Sequence, residues 1–562
     1  MQPLALQLLL AALSVVAAPQ RQEPADLVLR GGRIVTLDDE RPQARALAAR
    51  GDTIVFVGDD QGAAALIGDA TRVVELEGRL AVPGFIEGHG HFMGVGDAGL
   101  QLDLRSVSSW DEVVALVAAA VARARPGELI RGRGWHQEKW QAAPEPSVEG
   151  LPTHHWLSAV SPDNPVVLRH ASGHATFANA RAMELAGVAR GTPDPPGGQI
   201  VRDAGGEPTG AFRETAAGLL ARASRGAVPP DPRRVAELAV AELLSKGVTS
   251  FQDAGSSFAE VELYRQMAAD GSLRVRLWVM LSESDRVLAE RLPGFDLRDF
   301  GRRHLTVRAI KRSIDGALGS HGAWLLEPYA DLPQSTGLNT TPVASIEETA
   351  RLALAHGFQL CVHAIGDRAN RETLDLYQRA FAALPERRDL RWRIEHAQHL
   401  HPDDVPRFAR LGVVASMQGV HCTSDGPWVT ARLGAERAAS GAYLWRDLLD
   451  SGALVSNGTD APVEDVDPIA SFHSTVTRRL ADGSSFFPAQ CMTRLEALRS
   501  YTLSAARAAF EEDVKGSLSV GKLADVTVLS RDILTVPADE ILACEVIATI
   551  VGGEVVYERA AR

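Results

Sequence analysis

GFIEGHGHF, residues 84–92, sets two histidines one residue apart between glycines, directly after the apolar run LAVPGF. That run reads as a short buried strand with the histidines at its C-terminal end. Residues i and i+2 of a strand share a face, so His89 and His91 project together. Two imidazoles at one strand end can grip a divalent metal ion. They can equally be polar residues of a turn, because an isolated H-x-H pair recurs by chance. The rest of the chain has to supply the other ligands.

Working outward, apolar strand-like runs alternate with helical stretches. Eight runs stand out: LAVPGFIE, GVTSFQD, RVRLWVML, LTVRAIKRSID, FQLCVHAIGD, RWRIEHAQ, GVVASMQ and ALVSNGTDAP. Between them SIEETARLALAHG carries apolar residues at helical spacing, with Ser345 and Glu348 as a possible capping box. Eight strands with intervening helices fit an α/β chain folded as a (β/α)8 barrel. The stretch from about residue 93 to 246 is too long for one connection and is expected to be a mostly helical insertion over the barrel mouth. Val- and Ile-rich β runs with Gly and Asp turns fill both chain ends, DLVLRGGRIVTLDD near the start and GSLSVGKLADVTVLS near the finish. One small β-sandwich built from residues 26–82 and 506–562, flanking a barrel over 83–505, accounts for both.

Active sites of such barrels gather at the C-terminal strand ends. The first run delivers His89 and His91, the fourth Lys311, the fifth His363, the sixth His396 and the eighth Asp460. Each alone has an ordinary explanation: a core histidine, a lysine reaching solvent along its strand, an Asx turn. Their coincidence at the ends of strands that share one mouth points to a metal site.

The bulk properties narrow the function further. A formal net charge of −13 over 562 residues argues against a general nucleic-acid binder. The opening MQPLALQLLLAALSVVAAPQ has no charged side chain and is too short to span a bilayer comfortably. It reads as a secretory signal over residues 1–18, placing the mature chain in the periplasm or outside the cell. Cys361, Cys422, Cys491 and Cys544 follow no zinc-finger spacing and are expected to be mostly buried and free.

Taken together, GWHQEKW, RHASGHATFANARAMELAG, IKRSIDGALGS, VHAIGDRAN, RIEHAQ and GTDAPV resemble the third family of the amidohydrolase superfamily, a branch that includes N-substituted formamide deformylases. The resemblance runs from about Asp26 to the C-terminus. It implies one or two divalent ions, most often zinc: His89 and His91 with Asp460 on the more buried ion, His363 and His396 on the second. Lys311, carboxylated on Nζ, would bridge the two. It also implies a small-molecule substrate and hydrolysis of a non-peptide carbon–nitrogen bond by a metal-activated hydroxide, with Asp460 as general base and acid. His174 and Trp135 are candidate substrate contacts, and Asp315 and His321 candidate supports behind the ligands. A deaminase or lactonase, or a non-catalytic binding protein, is available to the same scaffold. A homo-oligomer is compatible with the sequence.

Overall fold

The computed structural model describes residues 23–224, 229–384, 386 and 389–560; the expected signal segment lies outside them. Eight parallel strands form the central sheet: Phe85–Gly90, Val248–Ser256, Arg276–Leu281, Leu305–Ser313, Gln359–Ala364, Arg393–His396, Val414–Gln418 and Val455–Gly458. Arg276–Leu281 and Gln359–Ala364 are buried at every position, as strands flanked by helices on one side and a filled barrel on the other must be. The ring closes just past the last strand, where the Asp460 amide donates to the His89 carbonyl at 2.8 Å and the His91 amide to that of Ala461 at 2.7 Å.

The first of the eight runs is divided. Leu80–Pro83 belongs to a different sheet, and Phe85–Gly90 is itself the first barrel strand, so His89 lies within that strand and His91 follows it. Gly84 is the joint: a Cβ there would stand 2.2 Å from Thr249 Oγ1, so the chain turns from one sheet into the other only with glycine. Leu80–Pro83 pairs antiparallel with Val526–Leu529 and parallel with Arg33–Val35, uniting segments from both chain ends in a six-stranded sheet. A four-stranded sheet containing Leu27–Arg30 and Ala46–Arg50 packs its Leu27, Leu29 and Leu47 against Ile34, Val526 and Ile550 of the first.

The region between the first two barrel strands is built around a six-stranded sheet, not mostly of helices. Its strands run in the order Gly198–Arg202, Pro208–Glu214, Ala175–Ala178, Val166–His170, Ile130–Trp135 and Leu102–Asp103. The strand IRGRGW hides its nature behind two glycines, which weaken a strand pattern. Gly134 is required by a φ of +105° and by Arg105, whose Cγ would lie 2.5 Å from a Cβ.

The helix after the fourth barrel strand starts at Val343, so Ser345 lies inside it and its hydroxyl meets Asp285 instead of capping. All four cysteines are free, and only Cys491 is not buried. No helix among the described residues is long and apolar enough to cross a membrane.

Candidate metal centre

The barrel mouth brings His89, His396 and Asp460 together, with one donor atom of each within 4.8 Å of the others. Nε2 of His89 lies 3.6 Å and Nε2 of His91 3.1 Å from Asp460 Oδ1. The His363 ring stands 4.4 Å from that of His396, and the His396 ring 4.8 Å from that of His89. His396 therefore sits between the groups expected to hold two different ions. Asp460 and His396 reach these positions on left-handed backbone, with φ of +57° and +75°, a conformation that Asp and His adopt more readily than most side chains.

Three of these atoms are buried with no hydrogen-bond partner among the described residues: His89 Nε2, His363 Nε2 and Asp460 Oδ1. Buried polar atoms are almost always paired, and His89 Nε2 and Asp460 Oδ1 belong with His396 to the group that could hold a metal ion, whereas His363 Nε2 is turned toward Asp315 at 3.4 Å. The opposite ring nitrogens are fixed from behind. Nδ1 of His89 bonds the Glu395 carboxylate, and Nδ1 of His396 bonds Gln418 Oε1 at 2.8 Å. Such bonds orient imidazoles and set which nitrogen faces a metal.

Electrostatics favours the ligand forms. Burial lowers the His89 pKa to about 4 and holds His363 and His396 well below the usual histidine range. Burial pushes the Asp460 carboxyl up, but the adjacent His91 ring and the neighbouring imidazoles outweigh it and keep it well below the carboxylate range. Burial also lowers Lys311, against the attraction of Glu395 and Asp460. Lys311 lines a cavity of about 540 Å3 together with His91, His174, His363, His396 and Asp460, and its Nζ takes no ion pair or hydrogen bond among the described residues.

A model of the amidohydrolase family matches residues 72–557. The chain belongs to the amidohydrolase family. It is 36% identical over 548 residues, 95% of this chain and 92% of the relative, to Protein LONG AFTER FAR-RED 3 of Arabidopsis thaliana. It is 28% identical over 552 residues, 95% of this chain and 98% of the relative, to an N-substituted formamide deformylase of Arthrobacter pascens. An uncharacterized metal-dependent hydrolase of Pyrococcus furiosus superposes with a TM-score of 0.69 at 28% identity, covering 91% of this chain and all of that one. This amidohydrolase-family chain is accordingly a hydrolase.

The insertion reaches the amidohydrolase mouth through His174, whose ring stands 4.9 Å from that of His363. Burial lowers the His174 pKa, but Glu214, bonded to Nδ1 at 2.7 Å, raises it further. Trp135 is not a cavity residue. It is fully buried in the insertion's core, donates Nε1 to the Leu168 carbonyl at 3.0 Å, and packs against Trp140 and Phe177. Its large apolar ring is worth more in that core than at a wet site. Asp315 lies behind His363, 3.4 Å from Nε2, and accepts the amides of Trp324, Ile365 and Gly366. His321 instead turns to Asp331 at 3.2 Å.

Glu395 and Gln418 went unread in the sequence, as did His136 and His421, which line a pocket together with His174, His396 and Asp460. Glu395 had a usable signal, since RIEH places an acid beside a strand-end histidine and two residues after an arginine. The latter is its buried partner at 2.7 Å.

Proposed function

We propose that the protein hydrolyses a non-peptide carbon–nitrogen bond, an amide or N-substituted formamide, at a divalent metal centre. The reading is carried by the convergence of His89, His396 and Asp460 at the mouth of the barrel, with one donor atom of each within 4.8 Å of the others and His89 Nε2 and Asp460 Oδ1 buried without a hydrogen-bond partner. His89, His91, His363, His396 and Asp460 would hold one or two ions, and their mixed nitrogen and oxygen donors suit zinc. When bound, a divalent ion supplies Lewis acidity toward water and carbonyl oxygen.

The chain's own groups do the rest. Asp460 is held ionised, which fits it to take a proton from water and return it to the leaving nitrogen. His174, whose pKa Glu214 raises, faces the same cavity and would donate to the substrate's carbonyl oxygen. Lys311, as a neutral amine, would bond the carbon of carbon dioxide and release a proton, giving a carbamate that would offer the metal centre oxygen donors. Burial that disfavours the ammonium supports this role. The name of the Arthrobacter pascens relative supports the choice of bond.

Purified, metal-replete protein assayed against N-formyl, N-acyl, lactone and aminopurine substrates tests the proposal. Amide or formamide turnover is expected. Turnover confined to lactones or aminopurines overturns it.

A further inference from the structure

Two arginines of the insertion stand in the wall of the large cavity. Arg133 and Arg169 are register partners on the parallel strands Ile130–Trp135 and Val166–His170, so their side chains leave the sheet side by side. Like charges directly opposite on a sheet repel, and such a pair persists where something compensates it. Among the described residues no carboxylate comes within ion-pair reach of either. The acids whose field they feel are engaged elsewhere: Asp97 by Arg131 at 2.7 Å, Asp460 by His91 at 3.1 Å.

Of the other charges on the wall, Lys311 lies with the histidine cluster and has the separate role proposed above, and the rest have partners. Arg312 is paired with Asp285 at 2.6 Å, Asp253 accepts the Phe92 amide at 3.0 Å, and Glu260 caps its own helix through Ser257. Arg133 spends part of its guanidinium on carbonyls, Pro462 at 3.1 Å and Ala171 at 3.3 Å. The Arg169 guanidinium makes no hydrogen bond among the described residues.

Both arginines are tied close to the reacting groups. Pro462, held by Arg133, is two residues past Asp460. A Cβ on Gly173 would lie 3.4 Å from Arg169 Nη2, and the next residue is His174. An anion lying across the pair would therefore sit at the insertion's side of the cavity, with the rest of its molecule free to reach the histidine cluster.

Building on the amide-hydrolase reading, we propose that the substrate carries a carboxylate, bound by Arg169 with Arg133 beside it. A guanidinium offers parallel N–H donors that match the two oxygens of a carboxylate, and its charge does not titrate away.

The test uses matched pairs on the metal-loaded protein: N-formyl and N-acetyl amino acids and monoamides of dicarboxylic acids, each beside its neutral carboxamide. The acid is expected to have at least about a tenfold higher kcat/KM, carried mainly by KM and shrinking as salt is added. Arg169→Gln is expected to erase that preference, and Arg169→Lys to restore part of it. Equal or better turnover of the carboxamides, or a preference that survives Arg169→Gln, overturns the proposal while leaving amide hydrolysis standing. If no amide is turned over, the hydrolase reading fails instead, and binding to Asp460→Asn protein by calorimetry decides the carboxylate question. The acid must bind about tenfold tighter than its carboxamide, and equal affinity overturns the proposal.

Discussion

Oδ1 of Asp460 lies 3.1 Å from Nε2 of His91, so the segment after the last barrel strand lays its carboxylate on the imidazole that follows the first. Asp460→Asn keeps the shape and removes the negative charge. It is expected to lower kcat by about 10²- to 10⁴-fold, the range for loss of a general base, and to reduce bound metal. Steady-state kinetics with elemental analysis checks both. Turnover within a few-fold of wild type sinks the proton-transfer role.

Lys311→Ala is expected to lose most activity and metal, and short carboxylic acids in the buffer to restore part of it by replacing the carbamate oxygens. Lys311→Arg should fail as well, because a guanidinium stays charged and cannot form a carbamate. Near-normal metal content and turnover in Lys311→Arg would remove the bridging role.

Glu395 holds His89 from behind and neutralises Arg393, both fully buried. Glu395→Gln is expected to weaken metal binding by about 10- to 100-fold, the usual effect of losing a ligand's supporting partner. It should also cost roughly 3–5 kcal/mol of stability, since Arg393 would be left as an uncompensated buried charge. A chelator competition titration and urea unfolding separate the two effects.

His399 and His170 are buried, and burial lowers each to about 3. The unfolded chain takes up protons near pH 6.5 while the folded one resists. Their contribution to stability is therefore complete above about pH 6.5 and is lost as the pH falls toward 3. The melting temperature is expected to drop between pH 7 and pH 5, with a shallower slope in His399→Gln. An identical slope in that variant excludes His399 as a source of acid sensitivity.

Trp135→Ala should destabilise the protein by about 3–5 kcal/mol, as for other large-to-small core changes. KM for small substrates should stay close to wild type. A large rise in KM at unchanged stability would return Trp135 to the binding site.

The barrel was legible because its strands are apolar runs, each stopped by a polar residue whose chemistry does not suit a core. Lys311 and Asp460 stood out in this way. Glu395 did not, because its meaning depends on Arg393 and His89, and hydrophobic periodicity carries no information about polar partners inside a barrel. LAVPGFIE misread for a related reason. Two strands of different sheets meet at Gly84 without a loop between them, and an unbroken apolar run cannot show the joint. The insertion's sheet was hidden by its glycines and arginines, two of which, Arg133 and Arg169, turn out to line the cavity.

The pairing of Leu80–Pro83 with Val526–Leu529 sets a timetable for synthesis. The first barrel strand leaves the ribosome fused to a sheet edge whose partner is among the last segments made. Contacts this distant in sequence are slow to form and leave apolar edges open meanwhile. The sheet that anchors the first barrel strand is thus completed only after all eight barrel strands have been made. A chain stopped short of Val526 loses more than a peripheral sheet: the segment that leads directly into His89 keeps only Arg33–Val35 as a neighbour and is left open along its other edge.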